Sequence, residues 1–195
     1  MATDAVHFRP AQIEDAAVLA ELVDYAGEGL PLYLWGKMAG PEETAREVGE
    51  KRAARETGSF SYRNATIIEH EGRSAGSLIG YVIPDTPPPI PSDMPAMFLP
   101  LQELETLAPG TWYVNVLAVL PEYRSAGLGT KLLRLADDTG RKLAKRGMSV
   151  IVSDANTGAR QLYERLGYRE TGRRTMVKEG WINEGHEWVL LTKAL

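Results

Sequence analysis

Cysteine is missing from this chain of 195 residues, and its absence excludes several kinds of chemistry at once. Without thiols the protein can form no disulfide, no thiolate zinc site and no cysteine nucleophile. Histidine is scarce as well: His7, His70 and His186 lie far apart in the sequence, and none belongs to an HExxH motif. We therefore expect no metal site and interpret the three histidines as structural or solvated residues.

The chain also has no excess of positive charge and no long apolar run. The formal net charge is −4, which argues against nucleic acid as a partner because phosphate binding needs a basic surface. The basic stretch at 141–146 (RKLAKR) is expected to be a solvated helix end. No apolar run reaches membrane-spanning length, and residues 1–12 lack the features of a signal peptide. We expect a cytoplasmic protein with no membrane partner.

The composition that remains is typical of a soluble globular protein, with 44% hydrophobic and 25% charged residues. The length suits one domain, so we predict a single domain over residues 1–195 that carries a proline-rich insertion at about 84–100. Six of residues 84–95 are proline, which excludes a central strand there. The segment can be a stiff insertion or a polyproline docking segment for a partner protein, and the sequence leaves both open.

The apolar pattern predicts alternating strands and helices around one mixed sheet, in an α/β or α+β fold. The run at 111–120 is apolar almost throughout, which indicates a strand buried on both faces. Residues 28–40 are predicted to be a loop rich in glycine and aromatics, and 96–108 to include a short helix. The predicted helices are 12–27, 41–58, 127–146 and 156–167. The predicted strands are 5–11, 64–72, 77–83, 111–120 and 148–154, with two more within 168–180 and 186–195.

Two glycines stand where the strand at 111–120 gives way to a helix, in the stretch PEYRSAGLGTKLL. Gly127 and Gly129 let the backbone approach a ligand, and the first helical turn presents unpaired N–H groups at the positive end of the helix dipole. Such a turn binds phosphate, and Arg124 can add charge. A dinucleotide fingerprint would need glycine at Leu132, and a nucleotide P-loop would need an earlier glycine. The loop is therefore a phosphate-binding site of neither standard nucleotide type.

This stretch resembles the signature of the GNAT family of N-acetyltransferases, whose loop is Arg/Gln-x-x-Gly-x-Gly/Ala. A second stretch, NTGARQLYERLGY, is similar to the family's pattern Asn-x-x-Ala-x-x-x-Tyr-x-x-x-Gly-Phe/Tyr. It matches at Asn156, Ala159, Tyr163, Gly167 and Tyr168. The resemblance implies the GNAT fold, a mixed and mostly antiparallel central sheet flanked by helices. Its element order is strand, two helices, three strands, helix, strand, helix and two strands.

The resemblance also implies acetyl-CoA as co-substrate and an amine as acceptor. The loop would hold the CoA pyrophosphate, and the preceding strand, splayed from its neighbour, would bind the pantetheine arm and the acetyl carbonyl through its backbone. The residues implied to bind acetyl-CoA are Leu117, Ala118, Val119, Arg124, Ser125, Ala126, Gly127, Leu128, Gly129, Thr130 and Asn156. Asn156 has a second possible role, since it can instead cap the helix that follows.

Tyr163 is the implied general acid, which would protonate the leaving thiolate. The general base stays open. Some relatives carry a glutamate where this chain has Tyr113, and the candidates here are Glu28 or a water held near Asn115. Tyr33 and Trp35 would shape the acceptor side, although Trp35 is as well suited to core packing.

The leading hypothesis is an N-acetyltransferase that acts on a primary amine of a small molecule or a peptide N-terminus. The alternative is a GNAT-fold module that binds acyl-CoA without turnover, as a sensor or interaction protein. The acceptor is not identified by the sequence, and a homodimer is left open.

Overall fold

The computed structural model describes residues 6–195. Ala5, with which the first predicted strand begins, lies outside the described residues, as does the first part of the segment interpreted as lacking a signal peptide. The strands are β1 (Val6–Pro10), β2 (Ala65–His70), β3 (Arg73–Val82), β4 (Thr111–Val119), β5 (Gly147–Ser153), β6 (Arg169–Thr175) and β7 (Glu187–Ala194). The helices are α1 (Ala16–Ala26), α2 (Leu30–Met38), α3 (Ala45–Ala53), α4 (Leu99–Thr106), α5 (Leu128–Lys142) and α6 (Thr157–Arg165).

The seven strands form one sheet in the order β1-β2-β3-β4-β5-β7-β6. β4 and β5 run parallel, whereas β1 with β2, β2 with β3, β5 with β7 and β6 with β7 are antiparallel. The predicted mixed and mostly antiparallel sheet is confirmed. No helix within residues 6–195 is long and apolar enough to cross a membrane.

The predicted loop at 28–40 is wrong, because Leu30–Met38 forms helix α2. Pro31 sits in its first turn, where the fixed φ of proline favours a helix and its missing N–H costs nothing. The side chain of Asp24 accepts a hydrogen bond from the backbone N–H of Leu32 (2.9 Å), which satisfies another donor of that turn. The aromatic and glycine content that suggested a loop belongs to a short helix that packs on its neighbour.

Two element boundaries also differ from prediction. The second predicted helix, 41–58, covers only Ala45–Ala53, since Thr44 and Glu47 form a capping box that fixes its start. The hairpin connection, predicted over 71–76, is shorter. Glu71 and Gly72 both have positive φ, and β3 already begins at Arg73, as in a two-residue hairpin turn.

The chain divides into two compact units. The first comprises the chain up to Gly80 together with Val116–Leu133. In its core, Trp35 is buried, stacks on Phe60 and lies so close to Gly49 of α3 that no side chain fits at that glycine. Core packing is therefore the role of Trp35. Further members of this core are Leu19, Ala20, Val23, Val48, Ile67 and Ile79.

The second unit comprises Tyr81–Asn115 and Arg134–Leu195. Its centre is β5, which pairs with β4 from Thr111↔Gly147 to Val114↔Val150 and continues to Ser153 along β7. Helix α4 packs against β5, β6 and β7. The fully buried side chains of this unit include Leu104, Met148, Tyr168 and Leu190.

The proline-rich segment lies in the second unit and is closed at its base. The N–H of Ile83 donates to the carbonyl of Thr111 (2.9 Å), and the N–H of Gly110 donates to the carbonyl of Ile83 (3.0 Å). Between these points the chain runs through turns to Phe98 and then forms α4. The two ends of residues 84–109, which comprise the proline-rich segment and α4, are thus held side by side.

Arg9 connects three segments of the first unit. Its guanidinium donates two hydrogen bonds to Asp15 (2.6 and 2.8 Å) and one to Glu69 of β2 (2.7 Å). The Asp15 carboxylate also accepts from the N–H of Gln12 (2.8 Å). The hydrogen bonds from Arg9 hold the pKa of Asp15 below its usual value. The ionised carboxylate therefore stabilises the start of α1 against β1.

Asp15→Asn is expected to lower the free energy of unfolding at neutral pH by about 1 kcal/mol, because a partly buried charge-assisted pair is lost. A depressed pKa in the folded state contributes stability above the ordinary pKa of aspartate, and that contribution disappears as pH falls through the folded value. The free energies of unfolding of the wild type and of Asp15→Asn should therefore become equal at acidic pH. Urea unfolding at neutral and acidic pH measures this, with Glu56→Gln, which breaks an exposed pair with Arg63, as the control. A difference that does not change with pH would contradict the assignment.

Candidate active site

The end of β4 is held by an unusually close backbone contact with β3. A Cβ added at Gly76 would lie 2.5 Å from the carbonyl oxygen of Ala118 and 3.2 Å from the Cα of Val119. Just beyond, the N–H of Leu120 donates to the carbonyl of Ala75 (2.8 Å). The backbone of Leu117–Val119, predicted to bind the pantetheine arm, is thus fixed from one side by β3, which has no side chain at the point of contact, Gly76.

Arg124 stands between β4 and the glycine loop. Its Nε donates to the carbonyl of Val119 (3.2 Å), and its guanidinium lies over the ring of Tyr25, 5.5 Å from the centroid. The side chain is exposed. A fixed positive charge is therefore available at the start of the loop.

The loop itself has the backbone that its sequence suggested. Ser125 and Gly127 have φ values of 65° and 76°, a region that residues other than glycine enter only with strain. Residues 125–127 are exposed, and a Cβ at Gly127 would meet no atom of the described residues within 4 Å. The glycine is therefore needed for its backbone conformation, and the space around it is open.

Helix α5 begins immediately after this loop, at Leu128. The N–H of Lys131 donates to the carbonyl of Gly127 (3.2 Å) and so begins the helical hydrogen bonding. The N–H groups of Leu128, Gly129 and Thr130 precede it, and such groups have no carbonyl partner within a helix. Such N–H groups, at the positive end of a helix dipole, are suited to bind an anion. The open loop, the exposed guanidinium and these donors fit a pyrophosphate.

Asn156 is a helix cap. Its Oδ1 accepts a hydrogen bond from the N–H of Ala159 (3.1 Å) in the first turn of α6. Of the two roles considered for this residue, the structure provides the geometry of the cap, and the contact with the pantetheine arm stays a prediction.

Tyr163 is buried in the second unit, with 6% of its surface exposed. Its ring lies 5.6 Å from that of Tyr168. Burial raises the pKa of Tyr163, because desolvation disfavours the phenolate. The side chain therefore stays a protonated phenol at neutral pH, which is the form that a general acid requires.

Tyr113, at the position where some relatives carry a glutamate, is also buried, and burial raises its pKa. A phenol with a raised pKa cannot serve as a base at neutral pH. Asn115 is half-buried two residues further along β4.

Two other residues singled out in the sequence lie in the first unit. Glu28 has a φ of 53° between α1 and α2. Tyr33 lies on α2, with the ammonium of Lys37 4.4 Å from its ring centroid.

A carboxylate that the sequence did not single out lies beside Tyr113. Glu105 of α4 accepts a hydrogen bond from the hydroxyl of Tyr81 (3.0 Å), and the ring of Tyr81 is 5.2 Å from that of Tyr113. Burial raises the pKa of Glu105. Since Tyr81 is distant in the sequence and α4 follows an irregular segment, no local motif indicated this pair.

The first unit thus brings together the predicted residues of β4 and the loop, Leu117–Val119 and Arg124–Thr130. The second contains Tyr163, Asn156 and Asn115.

The family model of the acetyltransferase (GNAT) family matches residues 33–168. The chain belongs to the GNAT family. This confirms the resemblance on which the site residues were assigned.

The solved structures that match this chain along nearly its whole length include three acetyltransferases, whereas no curated protein matches it. An N-acetyltransferase from Staphylococcus aureus Mu50 is 20% identical, with a TM-score of 0.64, and the match covers 95% of this chain and 99% of the other. A GNAT family acetyltransferase from Elizabethkingia anophelis, solved with acetyl-CoA bound, is 16% identical, with a TM-score of 0.61 and coverage of 99% and 100%. The ribosomal-protein-S18-alanine N-acetyltransferase from Escherichia coli is 16% identical, with a TM-score of 0.59 and coverage of 97% and 94%. At these identities the likeness concerns the fold.

Proposed function

We propose that this GNAT protein is an acetyl-CoA-dependent N-acetyltransferase that moves an acetyl group to a primary amine by direct attack. The observation that supports this best is the loop at 124–127. It has positive φ at Ser125 and Gly127, is open to solvent and leads directly into the N-terminus of α5. Because the chain belongs to the GNAT family, acetyl-CoA is the ligand that we assign to this phosphate site.

Different residues are proposed to bind different parts of acetyl-CoA. Backbone N–H groups at Leu128–Thr130 bind the pyrophosphate, and Arg124 adds a positive charge. Backbone groups of Leu117–Val119 bind the pantetheine arm, and Asn156 is retained as a further contact. When bound, acetyl-CoA supplies the acetyl group as a thioester with a thiolate leaving group.

The chain contributes three things to the reaction. A backbone N–H at the end of β4 stabilises negative charge on the acetyl oxygen. The fixed strand and loop hold the two reactants in contact, which removes much of the entropic barrier. Tyr163 donates its phenolic proton to the sulfur as it leaves.

The acceptor is proposed as a small-molecule amine or a peptide N-terminal amine. One protein with this fold acts on the alanine of a ribosomal protein, which supports the peptide class without selecting it. A cytoplasmic location and a homodimer remain proposals.

The second candidate is a non-catalytic module that binds acyl-CoA. Tyr113 favours it, because a buried phenol replaces the glutamate that serves as base in some relatives. Turnover separates the two candidates, since only an enzyme releases CoA thiol when an amine is added.

Thermal unfolding with acetyl-CoA, and with ATP as control, tests the proposed binding. A ligand at a hundredfold its Kd adds about 2.7 kcal/mol, which for a chain of this size raises Tm by roughly 5–10 °C. We expect that rise with acetyl-CoA and none with ATP, followed by thiol release in a panel of primary amines. No rise with acetyl-CoA at millimolar concentration would overturn the proposal.

A further inference from the structure

A cluster of three phenols and one carboxylate lies in the second unit. Its members come from four different elements, Tyr81 from β3, Glu105 from α4, Tyr113 from β4 and Tyr163 from α6; we refer to it as the tyrosine–glutamate cluster. Tyr81 joins it by a hydrogen bond to Glu105 and by ring contact with Tyr113. The pKa of Tyr113 is raised first by burial and then by the charges of Glu105, Tyr81 and Tyr163. Direct contacts therefore join Tyr81 to Glu105 and to Tyr113, whereas, among the described residues, Tyr163 is linked to the other three only through its effect on the pKa of Tyr113.

Helix α4 fixes the position of Glu105. Leu104 is fully buried and packs over Gly172 of β6, where an added Cβ would lie 3.3 Å from the leucine side chain. Glu103 accepts a hydrogen bond from Nε of Arg174, also on β6 (2.6 Å). Two contacts with β6 thus anchor the last turn of the helix, and the carboxylate of Glu105 meets the hydroxyl of Tyr81.

Glu105 differs from the other acidic side chain of this helix in its partners. Glu103 has an arginine, whereas no cation forms an ion pair with Glu105 in the part of the chain that the structure describes. Its hydrogen bond comes from a neutral phenol. A half-buried carboxylate with no cation is unfavourable for folding, and a glutamine would accept the same hydrogen bond at lower cost.

We propose that Glu105 is the terminal proton acceptor for the acceptor amine, with the hydroxyl of Tyr81 as the relay between them. The inference rests on the proposed acetyltransferase function and supplies the base that position 113 lacks. Tyr81 is the group that meets the amine, and Glu105 acts through it.

The proton balance is complete with the groups already present. The acceptor ammonium gives one proton to the Tyr81 oxygen while the Tyr81 hydroxyl proton passes to Oε2 of Glu105. The lone pair of the neutral amine then forms the nitrogen–carbon bond as the carbon–sulfur bond breaks. Tyr163 donates its proton to the sulfur and recovers one from the new amide nitrogen. Glu105, which is half-buried, returns its proton to solvent.

The electrostatics of the cluster suit this division of roles. Burial raises the pKa of Glu105, which makes its carboxylate a stronger base than an exposed one. The titratable groups that face it are Tyr81 from β3 and Tyr113 from β4, both with raised pKa values, so both stay neutral. On its own helix, Glu103 is held by Arg174.

The test compares Glu105→Gln with Glu103→Gln, a change two residues away on the same helix. The substrates are the best primary alkylamine of the panel and an arylamine, which is neutral at physiological pH. We expect Glu105→Gln to lower kcat/KM for the alkylamine by about 10²-fold and to leave the arylamine rate and acetyl-CoA binding nearly unchanged. The alkylamine deficit should close as rising pH deprotonates the amine. Glu103→Gln should match the wild type, because the glutamine oxygen can still accept the hydrogen bond from Arg174. Tyr81→Phe, which keeps the ring, should behave like Glu105→Gln.

Each other result overturns the inference. An unchanged alkylamine rate in Glu105→Gln would do so while leaving the acetyltransferase function intact. An equal loss for both amines at every pH would indicate a structural role. If the wild type transfers acetyl to no amine of the panel, the proposed function fails and the inference fails with it.

A second measurement does not depend on turnover. The protein is labelled at the side-chain carboxyl carbon of glutamate, and NMR spectra recorded over a range of pH give the pKa of each glutamate. The resonance of Glu105 is the one that is missing from the spectrum of Glu105→Gln. We expect it to titrate above the ordinary glutamate pKa, and higher still in Tyr81→Phe, because the phenol hydrogen bond stabilises the carboxylate. Titration at or below the ordinary value would overturn the inference.

Discussion

Tyr163→Phe is expected to lower kcat by about 10²–10⁴-fold, the usual contribution of a positioned general acid. The phenol is buried, and its raised pKa keeps the proton on the oxygen until the thiolate leaves. Phenylalanine keeps the ring and its contact with Tyr168 and removes only the hydroxyl. Affinity for acetyl-CoA should therefore change little, and the loss should appear in the chemical step.

Tyr168→Phe is the matched control for this variant. Tyr168 is equally buried and its ring adjoins that of Tyr163, but its hydroxyl has no hydrogen-bond partner among the described residues. We expect this variant to keep the wild-type kcat. Single-turnover kinetics with the best amine of the panel measures both variants under conditions where chemistry limits the rate. A wild-type rate in Tyr163→Phe under those conditions would remove the tyrosine from this role.

Gly127→Ala is expected to weaken acetyl-CoA binding by about tenfold or more. An L-residue at a φ of 76° costs roughly 1–2 kcal/mol. The loop must either bear that strain or relax, and relaxation turns its N–H groups away from the pyrophosphate. Isothermal titration calorimetry gives the affinity, and urea unfolding gives the accompanying loss of stability.

Gly36→Ala is the control for Gly127→Ala, because it also adds a methyl group to a glycine but at a position without a positive φ. Gly36 lies in the last turn of α2, and its added Cβ would make only an ordinary contact, 3.8 Å from Ala45. Alanine there should raise the free energy of unfolding by about 0.5–1 kcal/mol and leave acetyl-CoA binding alone. If Gly127→Ala behaved like this helical control, the positive φ of the loop would have no part in binding.

Local patterns explain which parts of the molecule the sequence could predict. The buried strand β4, the loop and the start of α5 follow one another directly, so spacing alone placed Arg124, Gly127 and Gly129. The cap formed by Asn156 is equally local. Helix α2 was missed because its aromatic residues and glycine resemble a loop, while its stability comes from Asp24 and from packing against α3.

Glu105 could not have been found in this way. Nothing beside it in the chain marks it as different from Glu103, and the difference lies in what each meets after folding. Arg174 neutralises one, and Tyr81 approaches the other. Contacts between residues far apart in the sequence are not recorded in any short motif, and a base that acts through such a contact is visible only in three dimensions.

The hydrogen bonds that join Ile83 to Gly110 and Thr111 have a consequence for the divergence of this protein. They hold the two ends of residues 84–109 together, so the part that precedes α4, residues 84–98, can lengthen, shorten or be replaced while β3, α4 and β4 keep their places. The entropic cost of such changes grows only slowly with loop length. Glu105 lies beyond this stretch, on α4, and its partner Tyr81 lies before it, on β3. The proline-rich stretch can therefore vary among proteins of this fold without displacing the proposed base.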